Sequence, residues 1–121
     1  MAKKVLIIDD STVTCSILSE RIKSGGYDVV VANDGEQGLA AMQKEFPDLV
    51  ILDVRMPGMD GFEVCRLAKN DLVIKGIPIV FVTTAGQQKD MDKGMALGAS
   101  GYITKPYDGR ILLDEIKRII G

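Results

Sequence analysis

Five short runs rich in Val, Ile and Leu punctuate the chain: KVLII from Lys4, YDVVVA from Tyr27, LVIL from Leu49, IVFV from Ile79 and GYIT from Gly101. Their near-continuous hydrophobicity suits strands covered on both faces. Between them the apolar positions take helical spacing. A first helix is expected from about Ser11 to Lys23, with Val13, Ile17, Leu18 and Ile22 on one side, ending at SGGY where glycine adopts the left-handed C-cap conformation. A second, from about Gly35 to Glu45, carries Leu39 and Met42 and halts before Pro47. A third, weaker one spans about Phe62 to Lys69, with Phe62, Cys65 and Ala68 at intervals of three, and a fourth covers about Gln87 to Leu97. The last begins at Asp108, a good N-cap residue, and sends Leu112, Ile116, Ile119 and Ile120 toward a core.

Strand and helix thus alternate five times. With right-handed crossovers, this predicts an α/β fold: a flavodoxin-like, doubly wound, five-stranded parallel sheet of order 2-1-3-4-5 with helices on both faces. No linker, repeat or low-complexity stretch interrupts residues 1–121, so one domain is expected. A chain of that length buries roughly 65 to 70% of its unfolded surface, enough for a real core. In such a sheet ligands bind at the carboxyl ends of the strands, at the switch point between strands 1 and 3.

The residues at those ends are unusual. Strand 1 runs into Asp9 and Asp10, strand 3 into Asp53, strand 4 into Thr83 and Thr84, and strand 5 into Lys105. Each has an ordinary alternative: Asp10 before STVTCS fits an N-cap of the first helix, Asp9 a solvated loop, Thr83 a plain strand former and Lys105 a surface lysine. Asp53 is harder to place that way, because it follows four apolar residues and precedes the turn-rich VRMPGMDG. The convergence of all of them on one edge favours a site. Crowded carboxylates raise at least one pKa unless a cation offsets them, and an all-oxygen set suits a hard divalent ion that keeps waters, such as Mg²⁺.

Composition narrows the chemistry. The chain has no histidine, which removes the commonest general base and excludes self-phosphorylation on that residue. The net charge of −2 gives no field to recruit nucleic acid or anionic lipid, so no direct nucleic-acid binding is expected. The opening MAKKVLII has too short an apolar run for a signal peptide, and no stretch approaches the roughly 20 apolar residues of a membrane span; a cytoplasmic protein that does not engage membranes is the expectation. Cys15 and Cys65 belong to helices 1 and 3, which lie on opposite sides of the sheet in this topology, so two separate packed thiols are expected. Met91, Gly94 and Met95 on the fourth helix fit an adaptable, weakly stable element, with core packing of the methionines the simpler view.

Taken together, VLIIDDS, DLVILDVRMPGMDGFEVC, IPIVFVTTAG and GASGYITKP make a chain that resembles, over its whole length, the receiver domain of bacterial two-component response regulators. The resemblance implies that Asp53 is the phosphoacceptor, with Lys105 and Thr83 completing the active site. It implies Mg²⁺ held by Asp10, Asp53 and the backbone carbonyl of Arg55, with Asp9 acting through water, and a cis bond between Lys105 and Pro106. It further implies that Thr83 and Tyr102 form a switch that reshapes the surface of helix 4, strand 5 and helix 5. Arg55 and Ala85, two residues beyond Asp53 and Thr83, occupy positions expected to set the phosphoryl lifetime. The implied partners are a histidine kinase or phosphotransfer protein and an output domain or target protein, and a phosphorylation-dependent dimer stays open. Whether the chain acts alone or is cut from a longer regulator is also open. Thr84 departs from the family, which has a small residue there; the spacing back from Lys105 assigns the role to Thr83.

Two other functions are less consistent with the residues. A small Mg²⁺-dependent phosphatase with an aspartyl nucleophile, of the haloacid-dehalogenase type, needs a second acid two residues after Asp53, where Arg55 stands. A flavin-binding module would place its phosphate against the carboxylates of DDSTVT. The expected activity is therefore self-modification of a switch, rather than turnover of a separate substrate.

Overall fold

A computed structural model of the chain describes residues 2–121. The elements run β1 (Lys4–Ile8), α1 (Thr12–Ser24), β2 (Asp28–Ala32), α2 (Gly35–Glu45), β3 (Leu49–Leu52), α3 (Gly61–Lys69), β4 (Ile79–Thr83), α4 (Gln88–Ala96), β5 (Gly101–Thr104) and α5 (Gly109–Ile120). All strand pairs are parallel and the sheet order is β2-β1-β3-β4-β5, as the alternation of patterns predicts. The order reverses beside β1, which is flanked by β2 and β3.

Strand alternation divides the core in two. Val5, Ile7, Leu49, Ile51, Val80, Val82 and Ile103 face Cys15, Leu18 and Ile22 of α1 and Leu112 and Ile116 of α5. Leu6, Ile8, Val50, Leu52, Ile79 and Phe81 face Met42 of α2 and Phe62, Val64, Cys65 and Ala68 of α3. Each fully buried aliphatic chain of this kind contributes about 1.5 to 3 kcal/mol. Cys15 and Cys65 accordingly sit on opposite faces as free thiols.

Helix α1 departs from the sequence pattern. Val13 and Ile17 are 68% and 63% exposed, while Cys15, Leu18 and Ile22 are buried. Positions 13 and 17 form one stripe and 15, 18 and 22 another, turned well away from it at 100° per residue, and a helix lying on a sheet buries only one. The α4 methionines also stand outside the core: Met95 is exposed and Met91 half-buried. Gly94 has a packing reason instead, since a Cβ there would lie 3.1 Å from Phe81 and Tyr102 ring carbons.

The loop after β3 is pinned at both ends. Val54 and Met56 are buried, and Gly61 at the start of α3 donates its N–H to the Val54 carbonyl at 2.8 Å. A Cβ on Gly61 would meet the Asp53 carbonyl oxygen at 2.0 Å, a backbone atom that cannot step aside. Gly61→Ala is therefore expected to lower unfolding free energy by about 3 kcal/mol or more, read from the urea midpoint. The control Gly76→Ala, where a Cβ meets open space, should leave it within about 1 kcal/mol.

Candidate functional site

Register brings the acids together. Ile8 pairs with Leu52, so the next residues, Asp9 and Asp53, leave β1 and β3 side by side; the Asp53 N–H donates to the Ile8 carbonyl at 3.0 Å and the Asp9 N–H to Ala32 at 3.1 Å. Carboxylate oxygens of Asp9, Asp10 and Asp53 lie within 4.8 Å of one another, with Asp9 buried, Asp53 half-buried and Asp10 exposed. This acidic pocket has the donor set of a hard divalent cation: oxygen atoms alone, one side open to water.

Asp9 lies just beyond β1 but is not solvated. It is 2% exposed; its Oδ1 accepts the Ser11 N–H at 2.9 Å, and its Oδ2 faces the Lys105 ammonium at 3.3 Å. Burial, more than the charge of nearby Asp53, pushes its carboxyl above the usual range, while Ser11 and Lys105 oppose the shift. Asp10 does not cap α1. Ser11 does, accepting the Thr14 N–H at 3.2 Å, which leaves the Asp10 carboxylate out of the helix start. Asp53 is steadied by the Val54 N–H, which donates to its Oδ1 at 2.8 Å.

Thr83 ends β4, buried on the same face as Phe81, and Thr84 beside it is exposed. Only one of the two hydroxyls is therefore inside. The Thr83 Oγ1 accepts the Ala85 N–H at 3.2 Å. The Tyr102 hydroxyl donates to the Ala85 carbonyl, so one residue carries a bond to each. Burial first, and then Asp90, push the Tyr102 phenol up to about 12, so it stays a donor at any physiological pH. Lys105 follows β5, its N–H on the Thr83 carbonyl at 2.7 Å, and its bond to Pro106 is cis. Arg55 is exposed on the loop after β3, and Ala85 is buried against the α3 side of the core.

Two side chains absent from the sequence-based set also reach the site. The Cys15 thiol and the Asn33 amide both donate to the Asp9 carbonyl, each at 3.3 Å. Burial, then the Asp9 charge, raise the Cys15 thiol, which keeps its proton. Nothing in the linear order signals this: Asn33 follows β2, and only the sheet brings that turn to the end of β1.

Residues 5–117 match the family model described as the response regulator receiver domain. The chain is 37% identical over 120 residues to the alkaline phosphatase synthesis transcriptional regulatory protein PhoP of Bacillus subtilis, covering 99% of this chain and 49% of that protein. It is 36% identical over 119 residues to the response regulator PleD of Caulobacter vibrioides, covering 98% of this chain and 26% of that protein. The chain thus spans between about a quarter and about a half of these relatives. Among solved structures, the chemotaxis protein CheY4 of Vibrio cholerae aligns with a TM-score of 0.91 at 35% identity, covering 98% of this chain and 99% of that one.

The raised Asp9 carboxyl has a measurable consequence. The folded state binds this proton more tightly than the unfolded state, so the protonated form favours folding, and that contribution fades as pH rises through the folded pKa. At neutral pH without metal, Asp9→Asn should therefore raise the urea midpoint, and the gain should shrink on acidification and vanish below the ordinary carboxylate range. Equal midpoints for both proteins at neutral pH would show that Asp9 carries no such burden.

Proposed function

Because this chain belongs to the response regulator receiver domain family, we propose that it takes a phosphoryl group from a histidine kinase or phosphotransfer protein onto Asp53 and presents a changed α4-β5-α5 surface to an output domain or target. The observation that carries this reading is the meeting of three carboxylates within 4.8 Å at the carboxyl end of a parallel sheet, with a lysine 3.3 Å from one of them. Mg²⁺ would be held there by Asp10, Asp53 and the Arg55 carbonyl, and by Asp9 through water. When bound, Mg²⁺ offsets the negative charge that otherwise keeps a phosphoryl group away from a carboxylate.

The chain's own groups do the rest. An Asp53 carboxylate oxygen forms the bond to phosphorus; the phosphorus–nitrogen bond of the donor phosphohistidine breaks, and the imidazole leaves and takes a proton from water. Lys105 exchanges its contact with Asp9 for a phosphoryl oxygen, a charge-assisted hydrogen bond. The Thr83 hydroxyl now accepts from Ala85 and retains its own proton to donate to the new group. Drawing Thr83 toward the phosphoryl group pulls on the Ala85 N–H, and the Ala85 carbonyl holds the Tyr102 hydroxyl, so the movement passes to β5 through one residue. The exposed Val13 and Ile17, the latter lining a groove of about 360 Å³ with Lys105, Pro106 and Tyr107, support docking of the phosphodonor beside α1. An aspartyl phosphatase is disfavoured by Arg55, which stands where the second acid would act.

Incubation with a small phosphodonor such as acetyl phosphate should add the mass of one phosphoryl group, dependent on Mg²⁺, and Asp53→Asn should stay unlabelled. Labelling that survives Asp53→Asn, or that ignores chelation of the metal, contradicts the assignment. Arg55 and Ala85 should govern the lifetime, Arg55 from the exposed loop and Ala85 through its buried packing. Arg55→Ala is expected to change the dephosphorylation rate about threefold, roughly 0.7 kcal/mol of barrier, in a time course after donor removal; an unchanged rate counts against Arg55.

A further inference from the structure

We propose that Cys15 and Asn33 are positioning residues for the metal site, acting together through the backbone carbonyl of Asp9; this rests on the reading of the acidic cluster as a Mg²⁺ site. Cys15 belongs to α1 and Asn33 to the turn after β2. Their donors reach the same oxygen at 3.3 Å each and lie 3.8 Å from one another. A carbonyl oxygen has two lone pairs, and the two donors occupy both.

That oxygen matters because a peptide unit is planar. Fixing the Asp9 carbonyl fixes the N–H and Cα of Asp10 in the same plane. Every other polar atom of Asp9 is already held: its N–H by Ala32, Oδ1 by Ser11 and Oδ2 by Lys105. Asp10 is different. It is exposed and takes no part in the α1 cap, so its carboxylate takes its direction from the backbone that carries it. The clamp on the Asp9 carbonyl therefore aims the Asp10 ligand, as hydrogen bonds to a ligand's far side do in other metal sites.

A purely structural role predicts something else. Cys15 and Asn33 line an open groove of about 610 Å³ between α1 and β2, and Asn33 is exposed, so water can replace its donor in a truncated variant. Water satisfies the carbonyl and preserves folding, but it is not anchored to two elements and does not hold the peptide plane. Metal affinity should fall in both alanine variants, with folding stability close to native in the exposed Asn33→Ala and a modest packing loss added in the buried Cys15→Ala.

The test is Mg²⁺ binding by isothermal titration calorimetry on the native chain, Cys15→Ala, Cys15→Ser, Asn33→Ala and the double variant Cys15→Ala/Asn33→Ala, each with metal-free urea unfolding. The double variant should bind Mg²⁺ about tenfold more weakly and each single alanine variant less so. Cys15→Ser, which keeps a donor of similar size, should stay within about twofold of native. A cooperatively folded double variant with native affinity overturns the proposal, and so does Cys15→Ser binding as weakly as Cys15→Ala, since sulfur packing would then be the cause. If the double variant loses its cooperative transition, the exposed Asn33→Ala decides: weakened binding supports the clamp and native affinity overturns it. A native protein that binds no Mg²⁺ overturns the site reading and this proposal together, whereas native binding with indifferent variants removes the clamp alone.

Discussion

Two aspartates leave adjacent parallel strands at the same level, and one of them is sealed from water; the protein is organised around tolerating that placement. A carboxylate 2% exposed, beside a second and third acid, is unfavourable unless each of its atoms is compensated. The compensation is local: Ser11 and Lys105 on the carboxyl oxygens, Ala32 on the N–H, Cys15 and Asn33 on the carbonyl. Those partners come from α1, the ends of β2 and β5 and the turn after β2, so the site is a meeting point of the sheet's whole carboxyl edge. The exposed Asp10 carboxylate beside it is left to the open side of the cluster.

The same edge connects to the far side of the molecule by packing. Phe62 of α3, Phe81 of β4 and Tyr102 of β5 form a chain of rings with successive centroids 5.4 Å apart. Helix α4 rests on it through Gly94, which has no side chain to hold the rings away, and through Lys93, whose ammonium lies 4.7 Å from the Phe62 centroid. Tyr102 also donates to the Ala85 carbonyl, and the Ala85 N–H donates to Thr83, so the ring against which α4 is seated is tied by hydrogen bonds to the end of β4. Helix α4 itself has few apolar anchors, with Met95 exposed and Gly94 its buried residue.

Much of this was legible in the linear order. Strands β1, β3 and β4 are buried on both faces, and a strand so covered must be apolar almost throughout, which is why KVLII, LVIL and IVFV identify themselves. The helix start at Asp108 follows from a side-chain oxygen that accepts an orphan N–H group, and the structure shows Asp34 and Asp60 capping α2 and α3 in the same way. The acids, Thr83 and Lys105 stand at strand ends, and topology alone then gathers them on one edge. Helix α1 was less legible: its apolar residues make two stripes, and a periodicity of 3.6 cannot say which one meets the sheet.

The sequence by itself determined the elements, the sheet order and the identity of the clustered acids, because apolar periodicity and strand-end placement are local properties that parallel topology converts into position. Only the tertiary structure decided that Ser11 rather than Asp10 caps α1, that Gly61 must lack a side chain, and that Cys15 and Asn33 meet on one carbonyl. The cap is a local choice between two adjacent residues that both suit it; the other two depend on backbone atoms of separate segments approaching within hydrogen-bond or contact distance, and no spacing along the chain encodes such an approach.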